Sequence, residues 1–301
     1  MKNGWYILNY HDISWEENIL VRGIGGTLPP DIFRDHLERL NKYFKLVSVQ
    51  RGWELFSQNK ITEPTVSFWF DDGLSGVRKY AYPLLERYSV KGAMSINSRF
   101  ILRKEFFWRF KLSLLNHSDG MRFLRSRLGQ SAHGHDLEIK DLLLTDFSDE
   151  TVAIIDSLYN ERTNEAFRHD AYRIFDTIDG IKELLNNGWV IANHSASHYP
   201  MGKGANINRL SEQFLECEKD INRNLDIRTR FWVIPFGAEK SKTLMDAFYK
   251  ADDDNRDLVF VGNKINKSYG GQDRSLYRIS ATLCKCEKLI RFLERIPIAV
   301  C

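Results

Sequence analysis

The sequence predicts an α/β fold: a distorted (β/α) barrel of seven or eight strands carrying a helical insertion. Three observations predict it. Short β-branched and aromatic runs recur along the chain, amphipathic helical patterns separate most of them, and two clusters of acidic and imidazole side chains stand directly after such runs. Strands alternating with helices argue for a parallel sheet. Eight candidate strands favour a closed or nearly closed barrel over a doubly wound sheet.

The first run, Trp5–Tyr10, leads into His11-Asp12. Asp31 then begins a helical pattern with Ile32, Phe33, Leu37, Leu40 and Phe44 on one face and His36 among its polar positions, where a solvated imidazole is expected. Leu46–Val49 is a second apolar run. Thr65–Phe70 follows Pro64 and stops at Asp71-Asp72-Gly73, the signature of a buried strand entering a turn. Ala93–Ile96 is the fourth run. Trp189–Ala192 ends in Asn193-His194, and Phe231–Ile234 ends in Pro235-Phe236-Gly237. Leu258–Val261 and Leu276–Ile279 complete the set. Ile207, Leu210, Phe214, Ile221 and Leu225 mark a further helix, and Leu283 to Leu293 the last.

One interval breaks the alternation. More than ninety residues separate Ile96 from Trp189, where a crossover needs about a dozen. Residues from about 98 to 176 are therefore expected to form a helical cap inserted into a single domain spanning 1–301. Its charge is segregated. From Arg99 to Arg127 eight Lys/Arg face only Glu105 and Asp119, interleaved with Phe100, Phe106, Phe107, Trp108, Phe110 and Phe123; from Asp136 to Asp170 ten acids face Lys140, Arg162 and Arg168. The simpler expectation is that basic and acidic helices pack on each other. The sharper one is that Arg103, Lys104 and Arg109, with the aromatics, touch an acidic glycan or an anionic headgroup, a peripheral contact with the inner membrane.

Composition bounds the rest. With 301 residues, 43% hydrophobic and 28% charged, the chain has ample core for one large domain. A formal charge of +3 is too small to imply nucleic acid. No apolar run approaches the length of a membrane span. Met1 leads almost directly into the first strand, without a signal peptide. Cys217, Cys284, Cys286 and Cys301 form neither a disulfide framework nor a paired zinc motif. A reducing cytoplasm is the expected setting.

The chemistry lies in Asp71-Asp72 and in His194 and His198. Two imidazoles and a carboxylate pair are the minimal kit for holding one divalent cation and activating a water beside it. The histidines are four apart, a spacing that puts both on one face if the segment turns helically. Ser195 stands where a thermolysin-like HExxH motif has its Glu, so the base must come from elsewhere, and one of the two aspartates supplies it while the other completes the ligand set. Two nitrogens and one oxygen make Zn²⁺ the default, with Co²⁺ or Ni²⁺ as alternatives. The same donors also describe the facial triad of Fe(II) oxygenases, although oxygen chemistry has no use for the second Asp. His133-Gly-His135 lacks a preceding apolar strand and reads as a loop. Among the tryptophans that could stack on a sugar, Trp69, Trp189 and Trp232 fall within expected strands and are assigned to the core, leaving Trp53 and Trp108.

These segments resemble a known family. Phe70-Asp71-Asp72-Gly73 is similar to the first motif of the NodB-homology polysaccharide deacetylases, carbohydrate esterase family 4, and His194-Ser-Ala-Ser-His198 to the second. Pro235-Phe236-Gly237 resembles the end of the third motif, Arg-x-Pro-Tyr-Gly, and Leu8-Asn-Tyr-His-Asp12 the segment with which many members begin. The resemblance implies Asp71 as general base and Asp72, His194 and His198 as metal ligands. It implies an N-acetylated sugar as substrate, attack of activated water on the acetamide, and an oxyanion stabilised in part by the backbone N–H of Phe236, with Pro235 and Gly237 lining the substrate. Two departures stand out. Val233 occupies the place of the motif's Arg, with Arg230 the candidate replacement, and no His follows His198 to act as acid, a role assigned to His11. Without a signal peptide, a nucleotide-linked or polyprenyl-linked precursor is the expected form of the glycan. The other readings are an inactive glycan-binding relative and an amidase acting on a small amide.

Overall fold

The computed structural model describes residues 1–16, 18–22, 26–117, 119–127, 149–199, 206–237, 242–251, 256–269, 274–282 and 286–299. The strands are β1 (Gly4–Tyr10), β2 (Asp12–Ile13), β3 (Thr27–Leu28), β4 (Lys45–Leu46), β5 (Pro64–Phe70), β6 (Ala93–Ile96), β7 (Val190–Asn193), β8 (Phe231–Val233), β9 (Asp257–Val261) and β10 (Ser275–Ser280). Seven of them, in the order β1-β10-β9-β8-β7-β6-β5, close through a β1–β5 pairing into an all-parallel barrel. The eighth expected strand is only peripheral. At Leu46–Val49 the chain pairs with β5 over Lys45–Leu46 and then turns into the helix Val49–Ser57. β2 and β3 form a separate two-stranded ribbon.

Strands covered on both faces need apolar residues at both parities, and they have them. Side chains of one parity fill the barrel: Trp5 and Ile7 from β1, Trp69 from β5, Ala93 from β6, Ala192 from β7, Phe231 and Val233 from β8, Val259 from β9 and Leu276 from β10. Those of the other parity, such as Tyr6, Leu8, Phe68, Phe70, Met94 and Ile279, belong to the outer core against the helices. Trp69, Trp189 and Trp232 are all buried. Carried toward the carboxyl ends, the inward parity passes from apolar to polar. It reaches Asn9, Asp71, Ser95, Asn97, His194 and Arg278, every one of them buried.

The amino end is sealed. The helix Val49–Ser57 lies across it, with Phe56 tilted against Trp5 at 5.8 Å. Asp257 gathers hydrogen bonds from Trp53 Nε1 (2.8 Å), Tyr269 Oη (3.0 Å) and Arg230 Nε (3.0 Å). His36 departs from expectation: it is fully buried, its Nδ1 3.1 Å from Tyr10 Oη. Its helix, Pro30–Leu40, packs close enough to the barrel for that face to be enclosed as well.

Between β6 and β7 the described chain is helical, at Ser98–Ile101, Trp108–Asn116, Gly120–Arg127, Asp149–Arg162 and Glu165–Ala171. The helix Ile178–Asn186 then returns to the barrel. Lys111 pairs with Asp156 and Arg127 with Glu161, so basic and acidic helices do meet. Arg99 and Lys104 reach across to Glu216 and Asp220 on the helix Ile207–Leu225. Phe100, Phe106, Phe107, Trp108 and Phe110 turn inward, and Phe123 alone of the expected aromatic set is exposed. The basic aromatic surface proposed to meet a membrane is thus largely spent on internal packing. No described helix is long and apolar enough to cross a membrane. His133 and His135 lie outside the described residues.

The seal at the amino end sets a test. A Cβ at Gly52 would come within 2.5 Å of the Trp5 indole, which is enclosed and has nowhere to go. Although Ala has the better helix propensity, overpacking wins, and Gly52→Ala is expected to cost about 1–3 kcal/mol. Urea denaturation measures it, and an unchanged midpoint would mean that the indole is free to move.

Candidate active site

β5 delivers its two carboxylates to different surroundings. Asp71 keeps the strand's inward parity, its N–H donating to the Tyr10 carbonyl at 3.0 Å. Its Oδ1 accepts from Arg278 Nη1 at 2.6 Å and from the Ser95 hydroxyl. The next residue leaves the strand: Asp72 has φ 69° and Gly73 φ 67°, two left-handed residues in succession that swing the Asp72 carboxylate over the barrel mouth.

β7 delivers the imidazoles in the same way. His194 donates from Nδ1 to the Val233 carbonyl at 2.8 Å, which leaves Nε2 as the atom with a lone pair. The segment after it is not helical. Ser195 (φ 65°) and His198 (φ 52°) are both left-handed, and this irregular turn brings the second imidazole beside the first, ring centres 4.7 Å apart. Asn97 Nδ2 donates to the His194 and Ser195 carbonyls, and Gln213 takes the Ser197 N–H and hydroxyl on its Oε1. Of the nine non-glycine residues with positive φ among those described, Asp72, Ser195, His198 and Phe236 fall here. Strain of that kind gathers where geometry serves function.

The result is a convergent donor set. Asp72 Oδ1 lies 3.7 Å from Nε2 of His194 and 3.7 Å from Nε2 of His198, and the three ligand atoms fall within 4.8 Å of one another. Asp71 Oδ2 is 4.0 Å from His194 Nε2. Both oxygens of Asp72 are sealed from solvent without a hydrogen-bond partner. A buried carboxylate with two orphaned oxygens is costly unless a cation answers it, and one carboxylate with two neutral imidazoles suits a divalent metal.

The electrostatics separate the two aspartates. Burial pushes the Asp72 carboxyl up to about 7, helped by the adjacent Asp71 charge and opposed by Arg109 and Arg278. Burial works in the same direction on Asp71, but the charge and hydrogen bond of Arg278 overcome it and hold that carboxyl well below the usual range. Burial keeps His194 and His198 neutral, the state in which imidazole binds a metal. His11 sits at the end of β1 on the same rim, its Nδ1 sealed and unpartnered. Burial brings it down to about 4 against the pull of Asp71.

The expected site residues divide cleanly. His11, Asp71, Asp72, His194 and His198 come together, and Pro235-Phe236-Gly237 forms a turn on the same rim, with the Phe236 ring 4.5 Å from that of His198. Arg230 does not join them. It precedes β8 at the sealed end, bound to Asp257 and stacked 3.9 Å over Trp53, so it neither orients Asp71 nor meets a substrate there. The guanidinium expected at position 233 comes instead from Arg278 on β10, fully buried and also hydrogen-bonded to Asn9 Oδ1 at 2.8 Å. Sequence reasoning missed Arg278, although its position two residues after the inward Leu276 was a usable signal. Ser95 carried the same parity signal, two residues after Ala93.

A family model described as polysaccharide deacetylase matches residues 58–250. Similar solved structures include IcaB from Ammonifex degensii (TM-score 0.62, 14% identity, covering 97% of this chain and 98% of that one). The Streptococcus pyogenes deacetylase PplD, solved with acetate, has TM-score 0.61 at 15% identity, covering 96% and 98%. A de-N-acetylase from Aggregatibacter actinomycetemcomitans has TM-score 0.60 at 18% identity, covering 96% and 99%. At these identities the structures establish a shared fold. No curated protein matches the chain.

The Asp71–Arg278 pair is enclosed on all sides, so removing one partner strands the other. Arg278→Met is expected to destabilise the protein by about 3–5 kcal/mol, and adding Asp71→Asn to it should recover most of the loss. Denaturant titration of the two single variants and the double variant closes the cycle. Additive losses would mean that the pair is not coupled.

Proposed function

The chain belongs to the polysaccharide deacetylase family, and from that premise we propose that it is a divalent-metal-dependent N-deacetylase that hydrolyses the acetamide of an N-acetylated amino sugar in a glycan. The observation that carries the reading is the convergence of Asp72, His194 and His198, with both Asp72 oxygens unpartnered, next to an Asp71 kept ionised by Arg278. Asp72, His194 and His198 would hold the cation, for which the donor set favours Zn²⁺ over Co²⁺ or Ni²⁺. When bound, such an ion supplies Lewis-acid polarisation of the amide carbonyl and acidifies a water molecule.

The protein's own groups do the rest. Asp71 receives the proton of the attacking water at Oδ2, because Oδ1 is committed to Arg278 and Ser95. A base held this far down is a weak acceptor. What Arg278 provides instead is a fixed carboxylate that is always ionised when water arrives. The backbone N–H of Phe236, carried on a left-handed residue beside His198, contributes to the oxyanion site. An amine leaves only when protonated, and His11 delivers that proton. Burial keeps His11 neutral at rest, so the proton it passes on is one acquired during turnover, with Asp71 as its counter-charge.

The first test is acetate release from N-acetylglucosamine oligomers by metal-stripped protein reloaded with Zn²⁺, Co²⁺ or Ni²⁺. Release should depend on the added metal. Asp71→Asn should lose at least about 100-fold in kcat while still binding one ion, whereas His198→Ala should lose the ion as well. Stoichiometric metal binding without release from any N-acetylated sugar would overturn the enzymatic reading in favour of a glycan-binding one. His11→Asn is expected to bind metal normally and lose turnover; full activity in that variant would remove His11 from the mechanism.

A further inference from the structure

On the reading just given, we propose that Arg109 is a further catalytic residue, its guanidinium stabilising the negatively charged oxygen that forms when the amide carbonyl is attacked. Arg109 comes from outside the barrel strands, on the first turn of the helix Trp108–Asn116. That turn is pinned to the site on both sides. Phe107 packs on the His198 ring at 5.0 Å and Trp108 on the Phe236 ring at 5.8 Å. The Arg109 guanidinium lies over Phe236, 5.0 Å from the ring centre, and the same ring meets His198 edge-on at 4.5 Å. Its charge acts on His11, Asp72, His194 and His198 alike.

What marks Arg109 is a guanidinium held beside the ligand set, where Asp72 is the carboxylate whose charge acts on it and, among the described residues, none is in direct contact. Arg99, Lys104, Lys111 and Arg127 of the same stretch each hold a carboxylate at 2.7–3.2 Å. Among the described residues no carboxylate lies within ion-pair reach of Arg109, and its Nε is sealed from solvent without a hydrogen-bond partner. A half-enclosed guanidinium left in that state is costly, and it is relieved when a negative charge appears beside it. The reaction generates one there. As water gives a proton to Asp71 and its oxygen bonds to the carbonyl carbon, the π pair of the C=O bond becomes a lone pair on oxygen. Collapse re-forms the C=O bond and breaks C–N, whose electron pair stays on nitrogen and takes the proton delivered by His11; the acid formed loses its remaining hydroxyl proton, and acetate and amine separate. A guanidinium already in place strengthens its interaction only while that oxygen is charged, which is the condition for raising kcat rather than lowering KM.

The test compares full-length, metal-loaded wild type with Arg109→Met and Arg109→Lys on N-acetylglucosamine oligomers. Alongside kcat and KM it measures metal content per chain and the calorimetric affinity for a phosphonate analogue of the tetrahedral intermediate. Arg109→Met should lower kcat about 100- to 1,000-fold, with KM near the wild-type value and metal content unchanged. Analogue affinity should fall by a similar factor, Arg109→Lys should retain part of the activity, and added guanidinium ion should restore part of it to Arg109→Met. An unchanged kcat would overturn the proposal, as would a raised KM with kcat preserved, the mark of an anchor for a ground-state anion. Failure of the deacetylase reading is distinguishable, because it would appear as absence of release by the wild type itself.

Discussion

The buried pair of Arg278 and Asp71 is the interaction around which the carboxyl end of the barrel is arranged. A guanidinium inside a closed sheet is tolerable only when its charge is answered. Asp71 after β5 answers the charge of Arg278, whose Nη1 also donates to Asn9 on β1, so one side chain from β10 ties three strands together at their carboxyl ends. Ser95 from β6 adds a fourth strand by donating to the same Asp71 oxygen. The other Asp71 oxygen, turned toward His194, is left for chemistry. A structural necessity, pairing a buried cation, thereby fixes the orientation of the carboxylate proposed as the base.

The two aspartates illustrate how one backbone turn separates two roles. Asp71 lies at an inward strand position and meets a guanidinium. Asp72, one residue later and left-handed, meets two imidazoles and no hydrogen-bond donor. Two adjacent buried carboxylates would otherwise compete for ionisation, and their acidities shift in opposite directions because burial and the Asp71 charge act on Asp72 while Arg278 overcomes burial at Asp71. The strained backbone at Ser195, His198 and Phe236 has a similar logic. It carries the proposed ligands and oxyanion donor off the ends of regular strands and onto a common point, and the hydrogen bonds of Asn97 and Gln213 hold the imidazole segment there.

The helices between β6 and β7 also take part in the site. Their aromatic residues form one packed layer running from Phe175 through Phe106, Phe100 and Phe107 to His198 and Phe236. That layer limits how the imidazole of His198 can move, and it carries Arg109 to the edge of the ligand set.

The sequence by itself determined the architecture and the place of the candidate site. Recurring apolar runs marked the barrel strands, and polar clusters after Phe70 and Ala192 marked the rim where the candidate residues meet, because parallel strands buried on both faces end where the apolar pattern ends. The identities of Asp71, Asp72, His194, His198 and His11 were legible for the same reason: short, local motifs at strand ends have little freedom in where they point. Tertiary structure alone decided the rest. Which arginine serves Asp71 depends on which strands become neighbours and at what register, a relation among residues some two hundred positions apart, so nearness in sequence favoured Arg230 while closure of the barrel selected Arg278. Packing of the helix Pro30–Leu40 on the barrel buried His36, and the left-handed turns at Ser195 and His198, set by tertiary hydrogen bonds, replaced a helical spacing with an irregular one. Arg109 is the extreme case, since a cation in a basic stretch reads as surface until the aromatic packing around it fixes it against the site.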